Sequence, residues 1–107
     1  MLVNMPTATR QGEEVFTAML RAIADPTRRR ILSMLKEPGC CSLEKSSGMC
    51  ACDIEARISL SQPTISHHMA VLRDAGLIEA TKIGQWMWYR RNEEAVRQLA
   101  RFFRERL

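Results

Sequence analysis

Lysine, histidine and long apolar runs are all scarce in this sequence. Of sixteen basic residues three are lysine, so thirteen are arginine. That excludes a diffuse, lysine-type basic surface and favours planar, bidentate contacts to phosphate or carboxylate. No apolar run approaches the roughly 18 residues that a membrane-spanning helix needs, so no membrane partner is expected. Met1 to Pro6 lack a charged segment followed by an apolar one, so no secretory signal is read. The chain is therefore expected in a reducing cytoplasm, where four cysteines serve as thiols or metal ligands rather than disulfides. No Gly-rich phosphate loop is present and no general base lies beside the cysteines in sequence. Both absences argue against an enzyme.

What is there is one domain's worth of chain, 107 residues. A domain this small buries a thin core and often completes it by pairing with a second copy. The net charge of +4 points to a partner of opposite sign. Charge alone does not choose among nucleic acid, a membrane surface and acidic protein; the lack of a spanning run argues against the membrane.

Residues 1–11 are polar and patternless and read as a flexible N-terminal arm, leaving 12–107 as the folded domain. From Glu13 a helical period appears, with Val15, Phe16, Met19, Leu20 and Ile23 on one face. Asp25-Pro26 closes that helix and opens a second, Asp25 as N-cap and Pro26 in the first turn. The second carries Ile31, Leu32 and Leu35 inward and ends at Pro38-Gly39. Residues 40–48 have loop composition. A third helix runs from Ala51 to about Ile58, and a fourth, capped by Ser61 or Gln62, runs to Ala75 with Gly76 after it. Leu77 to Ala80 and Met87 to Arg91 read as two strands around a Gly84-Gln85 turn. Glu93 to Leu107 is a last helix with Val96, Leu99, Ala100, Phe103 and Leu107 on one face. The fold class is therefore mainly α with a small β-hairpin: a winged helix-turn-helix.

In the fourth helix Ile65, Met69 and Leu72 share a face. The exposed N-terminal half is Gln62, Thr64, Ser66 and His67, short hydrogen-bonding side chains with no carboxylate. A recognition helix uses such residues on base edges, where Gln pairs with adenine and Ser or Thr donates or accepts. An ordinary polar face is the alternative; the preceding helix, the short turn and the wing favour DNA. His68 sits at the apolar boundary and reads as a packed histidine. Lys82 on the wing and Arg90 and Arg91 at its base are the phosphate candidates. Arg28-Arg29-Arg30 is either a phosphate contact or a solvated face with one arginine paired to a carboxylate, the second being favoured. Trp86 and Trp88 read as packing the hairpin.

Four stretches, taken in order, resemble the ArsR/SmtB family of metal-sensing bacterial repressors. They are Ala24-Asp25-Pro26-Thr27-Arg28-Arg29-Arg30-Ile31-Leu32, Cys50-Ala51-Cys52-Asp53-Ile54, Leu60 to Met69, and Leu72-Arg73-Asp74-Ala75-Gly76-Leu77-Ile78. The resemblance runs from about Glu13 to the C-terminus. It implies double-stranded operator DNA as a partner and a homodimer through the first and last helices. The faces at Val15/Phe16/Met19/Leu20 and Val96/Leu99/Phe103 suit that interface, or complete the monomer's own core.

Winged helices commonly cap the supporting helix with Ser or Thr and place an acid three residues later. Here Cys50 is at the cap and Asp53 is the acid. Thiol is a poor cap, and the stretch resembles the Cys-x-Cys-Asp motif of the family's arsenic- and cadmium-type sensors. Inside one α-helix, residues two apart point about 200° apart and cannot share an ion. Cys50 and Cys52 can therefore chelate together only where the first turn is non-helical or unwinds. The helix N-terminus favours thiolate there. The arsenic-type pattern has a further cysteine three residues after the second, where this chain has Glu55. A soft trivalent ion wants three thiolates, and Cys50 and Cys52 with Cys40 or Cys41 would supply them. The expectation is a repressor released by As(III) or Sb(III). A thiol-redox or Cd(II)/Zn(II)-responsive regulator, or a small metal-buffering protein, remains as the alternative. The last helix has no histidine, so the zinc site some members carry there is absent.

Overall fold

The structure is a computed structural model that describes residues 7–36 and 48–107. Cys40 and Cys41 lie outside the described residues. Among them run α1 (Thr7–Ile23), α2 (Pro26–Met34), β1 (Met49–Cys50), α3 (Ala51–Arg57), α4 (Gln62–Asp74), β2 (Ile78–Ile83), β3 (Trp86–Arg91) and α5 (Glu93–Arg106). The order expected from sequence holds, with three differences at the level of elements. First, α1 begins at Thr7, so residues 7–11, read as part of an arm, belong to a helix. Second, α2 ends at Met34, short of Pro38-Gly39. Third, the expected two-stranded hairpin is part of a three-stranded antiparallel sheet of order β1-β3-β2.

The strand that sequence patterning missed is β1. It is two residues long, too short for any period to show. Met49 pairs with Tyr89 and Cys50 with Trp88. Gly48 makes that approach feasible. Its φ is +132°, and a Cβ there would stand 2.8 Å from the Tyr89 carbonyl oxygen and 2.8 Å from Trp88 Nε1. At the far end, Ile83 pairs with Trp86 around a two-residue loop, with Gly84 at φ +62° as a tight hairpin requires.

The caps follow side-chain chemistry. Asp25 accepts from the Arg28 amide at the start of α2, Ser61 from the Thr64 amide in α4, and Asn92 from the Ala95 amide in α5. Asp25 titrates below the ordinary carboxylate range. Desolvation, the largest single influence, pushes it up, but the amides of Arg28 and Thr27 and the nearby positive charge of Arg28 together outweigh that.

One core gathers Phe16, Met19 and Ala22 of α1 with Ile31 of α2, Ile54 of α3, and Ile65, Met69 and Leu72 of α4. The face of α5 differs from expectation. Ala95, Leu99 and Phe102 are buried and Val96 is half-buried, while Ala100 is exposed, Phe103 40% exposed and Leu107 84% exposed. α5 carries two adjacent apolar rows, and period alone does not say which faces inward. Phe16 stands at their border: its ring lies 5.2 Å from buried Phe102 and meets exposed Phe103 edge-on at 5.8 Å. Of the two tryptophans only Trp88 is buried; Trp86 is 47% exposed. β1 pairs as far as Trp88 and stops, so nothing of that strand covers Trp86.

Gly48→Ala should cost about 1–3 kcal/mol, the range for a residue forced into a sparsely populated backbone conformation. Thermal melts, with near-UV dichroism of Trp88, check it. The Asp25 carboxylate should contribute stability above its ordinary titration range and lose it as pH falls through the lowered native value. Asp25→Asn, which keeps a cap acceptor but cannot titrate, should flatten that acid limb in melts recorded against pH.

Candidate nucleic-acid interface and thiol site

The reading helix α4 is fixed by its apolar face. Ile65, Met69 and Leu72 are buried in the core, which turns the opposite side outward. Gln62, Thr64, Ser66 and His67 are all exposed, as the wheel places them. Thr64 is also tied to the cap, its hydroxyl 2.8 Å from Ser61 Oγ. On the wing Lys82 is exposed. Arg90 is exposed too, but its guanidinium donates to Glu79 at 3.2 Å across β2 and β3. Both side chains of that pair are more than half exposed, so the pair holds Arg90 only weakly.

The arginine run has partners that neither reading from sequence names. Its members cap the carbonyl ends of helices. Arg28 Nε donates to the Ala22 carbonyl at 2.7 Å and Nη2 to that of Arg21 at 3.1 Å. Arg29 donates to the Ile23 carbonyl at 2.7 Å. Arg30 reaches the Arg57 carbonyl at 2.9 Å, at the end of α3. The last carbonyls of a helix have no partner within it and carry partial negative charge. Three consecutive arginines thus bind the ends of two helices to α2. A sequence scan for opposite charges finds no such partners, because backbone carbonyls carry no sequence signature.

The thiol site agrees with expectation in the place of Cys50 and differs in the state of its sulfurs. Cys50 is the N-cap of α3, with φ −78° and ψ 162°, and makes no side-chain cap hydrogen bond. It lies outside the helix, its backbone extended by pairing with Trp88. Its Cα is 5.4 Å from that of Cys52, and the two sulfurs are paired as a disulfide rather than standing apart as thiols. That Cα separation lies inside the range that bridging allows. The sulfurs therefore converge without any unwinding of α3. Of the two conditions read from sequence, a non-helical start rather than an unwound turn is the one present.

Asp53, read from sequence as a capping acid, belongs to the same group. It is buried, its carboxylate lies 3.4 Å from Cys50 Sγ, and one donor atom from each of Cys50, Cys52 and Asp53 falls within 4.8 Å of the others. Cys52 is exposed, so the group opens to solvent on one side. Glu55, at the position of the further cysteine in the arsenic-type pattern, is not part of this group.

No helix among the described residues is long and apolar enough to cross a membrane. Comparison with known proteins agrees with the fold. The profile "Bacterial regulatory protein, arsR family" matches residues 25–80. An uncharacterised helix-turn-helix transcriptional regulator of Methanocaldococcus jannaschii is 36% identical over 87 residues, covering 81% of this chain and 89% of that protein. The arsenical resistance operon repressor of Staphylococcus xylosus is 37% identical over 78 residues, covering 73% of this chain and 66% of that one. A crystal structure described as a possible transcriptional regulator for arsenical resistance superposes with TM-score 0.67 at 30% identity, covering 80% of each chain. Helix-turn-helix, wing, cysteine motif and relatives agree: the chain belongs to the arsR family of bacterial regulatory proteins, DNA-binding transcriptional regulators and not enzymes.

Proposed function

We propose that this regulator is a metal(loid)-responsive repressor. It binds operator DNA as a homodimer and leaves it when As(III) or Sb(III) is held by Cys50, Cys52 and a third thiolate from Cys40 or Cys41. The observation that carries this reading is the convergence of the Cys50 and Cys52 sulfurs at the first residue of the helix-turn-helix. Soft trivalent ions select thiolates. The arsenical resistance repressors among the relatives support that ion class.

Gln62, Thr64, Ser66 and His67 read base edges, while Lys82 and Arg90 hold the phosphate backbone. The dimer is supported by Val15 of α1 and Phe103 and Leu107 of α5, large apolar side chains left outside the monomer's core. Cys50 links the two functions because it belongs to two elements. It starts α3, which supports the reading helix, and it is paired to Trp88 in the central strand of the wing. Holding an ion at Cys50 therefore acts on the helix-turn-helix and the wing together. A reversal from 1:99 to 99:1 requires the ion to prefer the off-DNA form by about 10⁴-fold. Three thiolates supply that more readily than two.

Two observations favour a second reading. The paired sulfurs suit a thiol-redox sensor, in which oxidation removes two electrons and two protons from Cys50 and Cys52. The Asp53 oxygen beside them suits Zn(II) or Cd(II) better than arsenic.

Titration of the reduced protein on a fluorescent duplex of its specific site, with arsenite, antimonite, Cd(II), Zn(II) and peroxide in separate arms, discriminates among these readings. Arsenite should release the protein, and Cys50→Ser or Cys52→Ser should keep DNA binding and lose release. Of Cys40→Ser and Cys41→Ser, one should weaken the response, unless the adjacent thiols substitute for each other. Release of the Cys50/Cys52 double variant by arsenite refutes the site. Release by peroxide alone selects the redox reading.

A further inference from the structure

Arg28 makes one contact that helix capping does not explain. Its Nη1 lies 3.1 Å from Nδ1 of His68 on the reading helix, forty residues away in sequence. Guanidinium has five donors, no acceptor and never loses its proton in proteins. Arg28 is therefore the donor and His68 Nδ1 the acceptor, which places the imidazole proton on Nε2. Two other donors of the same guanidinium are fixed on the Ala22 and Arg21 carbonyls, at the end of α1. The Arg28 amide is held by Asp25. One side chain, anchored on two helices, thus reaches a third.

His68 is half-buried and immediately follows exposed His67, about 100° further around α4. The buried face of Ile65, Met69 and Leu72 holds α4 against the core, but apolar packing is non-directional. A charge-assisted hydrogen bond is directional and stronger than a neutral one. We propose that Arg28 is a positioning residue for DNA reading: through His68 it fixes the rotation of α4, and so the aim of Gln62, Thr64, Ser66 and His67, relative to α1 and α2. The inference rests on α4 being the reading helix. It assigns Arg28 no phosphate and His68 no base.

The test uses the intact protein at a pH of about 8, above the ordinary imidazole range. It compares a duplex selected from random sequence by the protein itself with a scrambled duplex. His68→Leu removes the acceptor and leaves the capping of α1 in place. It should weaken specific binding about tenfold while changing binding to the scrambled duplex less than about twofold. His68→Gln, which restores an acceptor, should recover most of the loss. Arg28→Gln should reproduce the loss with the slope of log affinity against log salt unchanged, and imidazole ¹⁵N shifts of His68 should lose the Nε2–H signature. Wild-type specificity for His68→Leu overturns the proposal. So does an equal fall on both duplexes tracking a lower melting temperature, which is a general folding effect. A salt slope reduced by about one for Arg28→Gln also overturns it, because that marks a phosphate contact. Ser66→Ala and His67→Ala report separately on the reading helix. If both keep full sequence preference, the assignment of α4 fails, whatever the His68 variants do.

Discussion

The extended backbone at Cys50 is the constraint on which the rest depends. Were Cys50 one residue inside α3, its sulfur would point away from that of Cys52 and its amide would be lost to the sheet. Held at φ −78° and ψ 162°, it ends β1, starts α3 and turns its sulfur toward Cys52 at once. Gly48 makes this possible two residues earlier, by letting the chain press against β3 where a Cβ would collide with the Tyr89 carbonyl. The cost is a helix with a poor cap, since Cys50 forms no side-chain bond to the first turn. Ser61, at the matching position of the next helix, does form one. The contrast between two helix starts eleven residues apart marks Cys50 as placed for chemistry rather than for helix stability.

The remaining polar architecture adds directional bonds between helices that share one small core. α2 is nine residues long, and three of them are the arginines that bind the carbonyl ends of α1 and α3. α1 and α5 are joined by Phe16 against Phe102 and by Arg106, which pairs with Glu13 at 3.3 Å and lies over the Phe102 ring. Such bonds are directional where the small core is not. They let a chain of this size hold α4 at a defined angle. The apolar row at Phe103 and Leu107 is left outside, on the face where a second copy would sit.

Much of this was legible in the sequence. The helix order, the helix-turn-helix, the exposed polar face of α4 and the nearness of Cys50 to Cys52 follow from periodicity, capping residues and the resemblance. Three things were not. β1 is two residues long and is defined by its partner strand rather than by a pattern. The arginine run takes backbone carbonyls as partners, and those leave no trace in residue identity. The inward row of α5 is set by the tertiary core it packs against, which two adjacent apolar rows cannot reveal. The pairing of the sulfurs as a disulfide was not legible either, because the thiol reading rests on an expected reducing compartment and not on local geometry.

The central claim is that Cys50 and Cys52 hold the inducing ion together with a thiolate from the preceding segment. Arsenic K-edge X-ray absorption of the reduced protein loaded with one equivalent of arsenite per chain reads the ligands directly. The account predicts an all-sulfur shell of three in the wild type, reduced for Cys50→Ser and for Cys52→Ser. A shell dominated by oxygen, or an all-sulfur shell that survives loss of both cysteines, would contradict it.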